Sequence, residues 1–168
     1  MDQNKFILLD SCTVEYLLTP ELKDLIQKRI DLWFDPTYLR SVSEITCTEL
    51  IDGAYKDKEH VILTILQTFT NFYVSREVIV AAGQIGSIYK QKNIKQGISL
   101  ADKIIAATSV LNKCPLITAN MNDFPPPFFI HVQTANIKYS HKSKSKILPI
   151  GILVPNYDYL LECFDERK

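Results

Sequence analysis

Two short runs in the sequence are apolar at almost every position, and they constrain the fold more than any other feature. One is residues 6–9 (FILL) and the other is residues 114–118 (CPLIT). Runs of this length are too short for a helix and are typical of strands buried on both faces, as in a parallel sheet. The sequence therefore predicts a sheet that is covered by helices on both sides.

The segments around these runs alternate between strand and helix patterns. Further strands are predicted at residues 38–42, 73–74, 128–132 and 147–154, and helices at residues 13–18, 20–33, 59–72, 78–90, 99–111 and 157–164. Another helix is predicted to begin at residue 46 and to include residues 49–51. Such alternation is typical of an α/β domain with a mostly parallel sheet and right-handed crossovers. A length of 168 residues suits one domain. We expect its core in residues 1–132, followed by a basic loop and a C-terminal extension in residues 133–168.

Composition and charge exclude only a few classes of function. The chain has 19 basic and 19 acidic residues, so any contact with nucleic acid must rest on a local cluster. Its four cysteines are widely spaced without a C-x-x-C pair, which indicates neither a zinc site nor a disulfide framework. No segment has the pattern of a signal peptide or a membrane span. We expect a cytoplasmic protein that does not contact a membrane.

Four acidic residues follow predicted strands, directly or at the start of the next helix: Asp10, Glu49, Asp102 and Asp123. In open α/β sheets the functional crevice lies outside the carboxyl ends of the strands. Acids that converge there repel one another unless a cation lies between them, and oxygen ligands alone favour Mg²⁺ or Mn²⁺ over zinc. The chemistry that suits such a site is phosphodiester hydrolysis.

Each acid also has a purely structural interpretation. Glu49 and Asp102 stand three residues after Thr46 and Ser99, which is the spacing of a helix capping box. Asp10 could cap the helix that follows it, and Asp123 could belong to an Asx turn. The thiol of Cys12 next to Asp10 invites a nucleophilic mechanism, but without a positioned histidine we interpret it as a packing residue.

Four stretches that carry these acids resemble the signature regions of PIN-domain ribonucleases, and most of all the VapC toxins of bacterial toxin-antitoxin pairs. They are FILLDS at residues 6–11, SEITCTELIDGA at residues 43–54, SLADKIIAATSV at residues 99–110 and LITANMNDF at residues 116–124. The match keeps the same order along the chain and ends near residue 132. The forms T-x-x-E-L-x-x-G and T-x-N-x-x-D-F are fairly specific in combination.

The resemblance implies a PIN-like three-layer α/β sandwich, a Mg²⁺ or Mn²⁺ site, and endonucleolytic cleavage of RNA. Asp10, Glu49 and Asp102 match the three central metal-binding acids of the family. The fourth position corresponds to Asn120 or Asp123, while Ser11 and Thr118 match polar positions that orient the site. A cognate antitoxin protein and a homodimer are also implied. An RNA-processing nuclease without an antitoxin, or an inactive RNA-binding module of the same fold, remains an alternative.

The sequence excludes one other class of enzyme and leaves the role of one further stretch open. A phosphoaspartate hydrolase of the haloacid dehalogenase class would need a second acid two positions after Asp10, where Cys12 stands. The basic stretch KYSHKSKSK at residues 138–146 is either a solvated surface loop or an RNA contact. Its candidate RNA-binding residues are Lys138, Lys142, Lys144 and Lys146.

Overall fold

The computed structural model describes residues 5–54, 58–94 and 97–165. Within these ranges the strands are β1 (Lys5–Leu9), β2 (Tyr38–Ser43), β3 (Thr70–Phe72), β4 (Leu116–Thr118), β5 (Phe129–His141) and β6 (Lys144–Pro155). The helices are α1 (Ser11–Leu18), α2 (Pro20–Trp33), α3 (Glu44–Asp52), α4 (Glu59–Leu66), α5 (Arg76–Gln91), α6 (Leu100–Leu111) and α7 (Tyr157–Asp165). A short 3₁₀ turn, Met121–Asp123, follows β4. None of the described helices has the length and hydropathy needed to cross a membrane.

The strands form one sheet in the order β3-β2-β1-β4-β6-β5. The first four strands in this order are parallel to one another, and β6 runs antiparallel to both of its neighbours. β5 therefore points the same way as the parallel strands. This arrangement confirms the predicted α/β fold with a mostly parallel central sheet.

Each face of the sheet carries its own hydrophobic core, as the period-two alternation of a strand requires. Ile7 and Leu9 of β1 face a core that includes apolar residues of α1 to α4. Leu8, between them in the sequence, faces the opposite core, which is built with α5, α6 and α7. All three side chains are at most 1% exposed, so the unbroken apolar run of β1 reflects burial on both faces. The result is the expected three-layer sandwich.

The start of α3 differs from the sequence prediction. The helix begins at Glu44 with Ser43 before it, so Thr46 lies inside the first turn and does not cap the helix. Thr46 is fully buried, and its hydroxyl has no hydrogen-bond partner among the described residues. Ser43 does not cap the helix through its side chain either, because its hydroxyl contacts Thr108 of α6 at 3.2 Å. The helix starts early because β2 passes into it without a loop.

Two boundaries between the second and third strands were also predicted wrongly. The helix predicted for residues 59–72 ends at Leu66, and the strand expected at residues 73–74 lies at Thr70–Phe72. Residues Thr70 to Phe72, which were predicted to be helical, instead pair with Ser41 to Ser43 of β2. Pairing with a neighbouring strand has here overridden the local periodicity.

The C-terminal part of the sheet corrects two further predictions. Residues 138–146 are not a loop but the tip of an antiparallel hairpin formed by β5 and β6, with Lys142 and Ser143 at the turn. Both turn residues have positive φ values, 49° and 62°, as a two-residue hairpin turn with the right twist requires. The core also continues beyond residue 132, because β6 pairs with β4 and α7 buries Leu160 and Cys163 against the sheet.

Candidate metal centre and active site

Asp10 stands at the junction of β1 and β4. Its backbone N–H donates to the Ile117 carbonyl at 3.1 Å, which continues the pairing of the two strands. Asp10 is also the N-cap of α1. Because α1 to α4 cover one face of the sheet and α5 and α6 the other, the sheet changes winding direction between β1 and β4. Such a switch point is where open α/β sheets bind their ligands.

Three hydrogen bonds fix the Asp10 carboxylate, which is only 4% exposed. The Ser11 backbone N–H donates to Oδ1 at 2.8 Å, and the Thr118 hydroxyl donates to Oδ2 at 2.7 Å. The Cys12 thiol also donates to Oδ2, at 3.1 Å. Burial and the adjacent Asp10 raise the pKa of Cys12 to about 12, so the thiol stays protonated near neutral pH. This agrees with the interpretation of Cys12 as a packing residue rather than a nucleophile.

Glu49 approaches Asp10 through a shared neighbour. The Ser11 hydroxyl donates to Glu49 Oε2 at 2.5 Å and lies 3.3 Å from Asp10 Oδ1. Partial burial is the main cause of a raised pKa at Glu49, and the charges of Asp10 and Asp102 add to it, while the Ser11 hydrogen bond opposes the shift. Since Thr46 is not a cap, the capping-box explanation for Glu49 is wrong.

Asp102 combines a structural role with a place in the site. It completes a capping box with Ser99, whose hydroxyl accepts from the Asp102 backbone N–H at 3.0 Å. In return the Ser99 hydroxyl and backbone N–H donate to the carboxylate at 2.6 and 3.3 Å, both to Oδ2. Burial raises the pKa of Asp102 most, and the charges of Asp123 and Asp10 raise it further. The cap uses one carboxylate oxygen.

The loop after β4 carries both candidates for the fourth position. The Asn120 backbone N–H donates to the Thr118 hydroxyl at 2.8 Å, which ties the loop to the group that holds Asp10. The Asn120 side-chain amide in turn donates to the Asp123 carboxylate. Asn120 lines the cleft described below, whereas Asp123 is not among the lining residues. The charge of Asp123 nevertheless raises the pKa of Asp102, so Asp123 lies near the acids of the cleft.

These side chains open into a cleft of about 440 Å³. Its lining residues are Asp10, Ser11, Cys12, Glu15, Glu49, Asp52, Gly53, Ser99, Asp102 and Asn120. Among the residues that the structure describes, the lining includes five carboxylates and no lysine, arginine or histidine. Within this part of the chain, no basic lining residue offsets the acidic charge of the cleft.

Sequence analysis missed two of these acids, Glu15 and Asp52. Asp52 follows Glu49 by three residues on α3, and Glu15 follows Ser11 by four residues on α1. Helical residues at these spacings share one face, so the signal was present once the helix boundaries were known. Partial burial and the Asp10 charge raise the pKa of Glu15. We therefore count Glu15 as part of the electrostatics of the cleft.

The donor set of the cleft suits a hard divalent cation. Carboxylate and amide oxygens are the ligands that Mg²⁺ and Mn²⁺ accept. A cation would also offset the repulsion between carboxylates, which adds to the effect of burial in raising the pKa values of Glu49 and Asp102. As placed, however, no three Asp, Glu, His or Cys side chains in residues 5–54, 58–94 and 97–165 are arranged to hold one ion. The chemistry of the site fits such a cation, while its side chains hydrogen-bond to Ser11, Thr118 and Ser99.

The fold is similar to that of solved toxin-antitoxin structures. A chain of a toxin-antitoxin complex from Klebsiella pneumoniae shares 25% identity, with a TM-score of 0.58 over 72% of this chain and 92% of its own length. FitAcB from Neisseria gonorrhoeae also shares 25% identity, with a TM-score of 0.58 over 70% of this chain and 90% of its own. VapBC-1 from nontypeable Haemophilus influenzae shares 22% identity, with a TM-score of 0.59 over 71% and 90%.

The chain has a PIN-like fold. The sequence matches no protein-family model and no curated protein, so this likeness is one of structure. In this PIN-like sheet, Asp10, Glu49 and Asp102 line one cleft together with Ser11 and Asn120. Thr118 donates a hydrogen bond to Asp10 and Asp123 accepts one from the Asn120 amide, although neither is a lining residue of the cleft. The four lysines of residues 138–146 lie on the hairpin and not among the lining residues.

Proposed function

We propose that this protein is a Mg²⁺- or Mn²⁺-dependent endoribonuclease that hydrolyses phosphodiester bonds of RNA in the cytoplasm. The observation that carries the proposal is the cleft at the switch point of the sheet, where Asp10, Glu49 and Asp102 meet and none of the described lining residues is basic. Clustered carboxylates of this kind repel an anionic substrate, so binding a nucleic acid there requires a cation. An inactive RNA-binding module has no need to keep these acids together.

In this proposal Asp10, Glu49 and Asp102 hold the cation, and either Asn120 or Asp123 supplies a further oxygen ligand. The cation would supply activation of water and compensation of the charge that develops on the phosphate oxygens. Thr118, Cys12 and the Ser11 backbone fix the orientation of Asp10 through the hydrogen bonds described above. Ser11 bridges Asp10 and Glu49 and so sets the separation of two of the acids.

We further propose that the nuclease is the toxin of a toxin-antitoxin pair and that it forms a homodimer. The support for the toxin role is the structural likeness to the toxin-antitoxin complex from Klebsiella pneumoniae and to FitAcB from Neisseria gonorrhoeae, each at 25% identity. The homodimer stays a prediction from the sequence resemblance. A nuclease that cuts cellular RNA must be held inactive, and an antitoxin would do this. An apolar groove of about 600 Å³ adjoins the acidic cleft, with Glu15 and Gly53 lining both, and is a candidate surface for such a partner.

The apolar residues of α1 and α2 do not all contribute to this surface. Four of them are Leu17, Leu18, Leu22 and Ile26. Leu17, Leu22 and Ile26 are buried in the core beneath α1 and α2. Leu18 lines the groove instead, together with apolar residues of α3 and α4 such as Leu50 and Ile62. The groove, rather than the early helices alone, is the surface on which we expect an antitoxin to bind.

The function can be tested by cleavage of RNA by purified variants. We expect Asp10→Asn, Glu49→Gln and Asp102→Asn each to lower the rate by more than about a hundred-fold, because the cation contributes several kcal/mol to the transition state. Asp24→Asn makes the same chemical change on an exposed face of α2 and should leave the rate unaltered. Equal activity of the cleft variants and the Asp24 variant would exclude the proposed site.

Expression in cells separates the toxin from an RNA-processing enzyme. We expect the wild-type chain alone to arrest growth and Asp10→Asn to relieve the arrest at an equal protein level. Harmless accumulation of a wild-type protein that still cuts RNA would support a processing nuclease without an antitoxin. The oligomeric state can be measured on the same preparations by light scattering, with a monomer counting against the homodimer.

A further inference from the structure

The β5–β6 hairpin extends past the end of the parallel sheet on the side of the acidic cleft. Thr118, the last residue of β4, pairs with Gly151, which pairs with Thr134. Strand residues beyond this level, from Ala135 to His141, continue in the direction in which β4 ends. At roughly 3.3 Å per residue they carry the tip about 20 Å beyond Thr118. The hydroxyl of Thr118 itself bonds to Asp10, so this distance is measured from the floor of the cleft.

The two faces of the hairpin differ in their surroundings. Ile137 and Leu148 are paired and belong to the core beneath α1 and α2. On the same face, farther toward the tip, Tyr139 pairs with Lys146 and His141 with Lys144, since alternate residues share a face. Lys138 pairs with Ile147 on the opposite face, where both are exposed. The candidate lysines are therefore not equivalent, because Lys144 and Lys146 share the face that adjoins α1 and α2.

Contacts on both faces hold the hairpin in place. Near the tip, the His141 Nδ1 lies 3.5 Å from the Glu21 carboxylate in the first turn of α2, an ion pair when the imidazole is protonated. At the base, Met121 of the site loop packs on Gly151, and its sulfur accepts from the Thr134 hydroxyl at 3.6 Å. The hairpin therefore contacts the helix next to α1 and also the turn that follows Asn120. Its tip has a defined position relative to the cleft.

The charge of the tip is opposite to that of the cleft. Residues 138–146 contain four lysines and a histidine and no acidic residue, in a chain whose formal net charge is zero. Basic side chains beside an aromatic residue are the usual means of holding single-stranded nucleic acid, with cations on the phosphates and rings stacked on bases. Tyr139 is partly exposed and lies directly across from Lys146, and Tyr16 of α1 belongs to the same cluster.

We propose that the face of the hairpin bearing Tyr139, Lys144 and Lys146 binds single-stranded RNA and guides it toward the acidic cleft. The inference rests on the proposed nuclease function and adds the surface that holds the substrate. The two lysines contact phosphates, and Tyr139 stacks on a base. Lys138, on the other face, does not contribute. The hairpin thus supplies an electrostatic attraction for RNA that neither the acidic cleft nor the net charge of the protein provides.

Binding can be measured separately from cleavage. Fluorescence anisotropy with a labelled single-stranded oligouridylate measures binding of RNA to the protein. In chelator the RNA is not cut, because the proposed cleavage needs a cation. Two double variants of the full chain form a matched pair, Lys144→Gln with Lys146→Gln and Lys138→Gln with Lys142→Gln. Each removes two charges from the same stretch, so an effect of net charge alone would be equal in both.

For the Lys144 and Lys146 pair we expect weaker binding and a salt dependence flatter by about 1.4 units of slope, since each single-strand phosphate contact contributes about 0.7. The affinity advantage of the wild type should then shrink roughly seven-fold between about 50 and 200 mM salt. The Lys138 and Lys142 pair should keep the wild-type slope. Tyr139→Leu, which keeps an apolar side chain against the core, should weaken binding without altering the slope.

Three outcomes would overturn the proposal. The first is an equal loss in both lysine pairs, and the second is a wild-type slope in the Lys144 and Lys146 pair. The third is tighter binding of duplex DNA than of the oligouridylate through the same two lysines, which would show that the hairpin binds DNA in preference to RNA. Failure of the nuclease function has a different signature, because metal-supplied wild-type protein would then bind RNA through the hairpin without cutting it.

Discussion

The hydroxyl of Thr118 donates a 2.7 Å hydrogen bond to the carboxylate of Asp10, across 108 residues of sequence. Thr118 closes β4 and Asp10 follows β1, so this bond joins the two strands at the point where the sheet changes winding direction. The same hydroxyl accepts from the Asn120 backbone N–H at 2.8 Å. One side chain therefore holds a buried acid and the loop that carries Asn120 and Asp123.

Replacing Thr118 by Val tests this junction. The variant keeps the shape but leaves Asp10 without one donor and the Asn120 N–H without its acceptor, so we expect a loss of about 1–3 kcal/mol in the free energy of unfolding. Thr118→Ser retains the hydroxyl and should lose less. Denaturant titration of both variants gives the comparison. Equal stability of the Val variant and the wild type would mean that the bond contributes nothing.

Asp102→Asn separates the capping role of this residue from its role in the cleft. An amide oxygen can still accept the hydrogen bonds from Ser99, so most of the cap is retained while one acidic charge is removed. We expect metal-free Asp102→Asn to be at least as stable as the wild type, and its RNA cleavage to be lost. Ser99→Ala removes the cap and should cost about 1 kcal/mol of stability while leaving the acid in place.

One outcome of this comparison would contradict a role of Asp102 in the cleft. If Asp102→Asn and Ser99→Ala unfold at the same reduced denaturant concentration and both retain cleavage, Asp102 is a capping residue only. Denaturant titration in chelator and a cleavage assay with Mn²⁺, on separate aliquots of one preparation, supply the two readouts.

The raised pKa values of Glu49 and Asp102 imply a particular dependence of stability on pH. The folded, metal-free protein holds these protons more tightly than the unfolded chain, so their contribution is complete below the ordinary carboxyl pKa. That contribution is lost as the pH rises from the ordinary carboxyl pKa through the raised one. We expect this loss to be reduced in Asp102→Asn, in which Glu49 loses one like-charged neighbour.

Binding of a cation should oppose the loss of stability that the metal-free protein shows as the pH rises. Because Mg²⁺ or Mn²⁺ favours the ionised carboxylates, its affinity should increase with pH through the same window, with release of protons. Calorimetric titrations in two buffers of different ionisation enthalpy measure the number of protons released. Metal binding without proton release at the low end of this window would contradict the assignment of Glu49 and Asp102 as ligands.

Gly151→Ala tests the contact between the hairpin and the site loop. A Cβ added at Gly151 would collide with the sulfur of Met121, which lies one residue after Asn120. We expect a loss of about 1–3 kcal/mol in unfolding free energy together with slower cleavage, because the displaced loop carries Asn120. Shortening Met121 to Ala in the same chain should restore part of the stability. A double-mutant cycle with no coupling between the two positions would show that the contact is not made.

The sequence predicted the parts of the fold that depend on local pattern. The apolar run of β1, the cap at Ser99 and the positions of Asp10 and Asp102 follow from periodicity over a few residues. The tip of the hairpin was missed because its lysines and serines have low strand propensity. These residues form strands through pairing between β5 and β6, which a local sequence pattern does not reveal. Glu49 was placed on the correct helix, but from a false cap at Thr46, since β2 runs directly into α3.

The composition of the cleft was only partly predictable for a similar reason. Asp10, Glu49 and Asp102 stood out by their position after strands, whereas Glu15 and Asp52 are recognisable only once α1 and α3 are in place. The sequence left both Asn120 and Asp123 as candidates for the fourth position. In the fold Asn120 lines the cleft and its side-chain amide donates to the Asp123 carboxylate, so both stay candidates.

The most direct test of the central claim is the rate of RNA cleavage by the wild-type protein as its metal is removed and returned. If Asp10, Glu49 and Asp102 hold a catalytic cation, exhaustive chelation should abolish cleavage. Titration with Mg²⁺ or Mn²⁺ should then restore the rate, with saturation at the concentration where calorimetry detects binding. A rate that is unchanged after exhaustive chelation would contradict the claim.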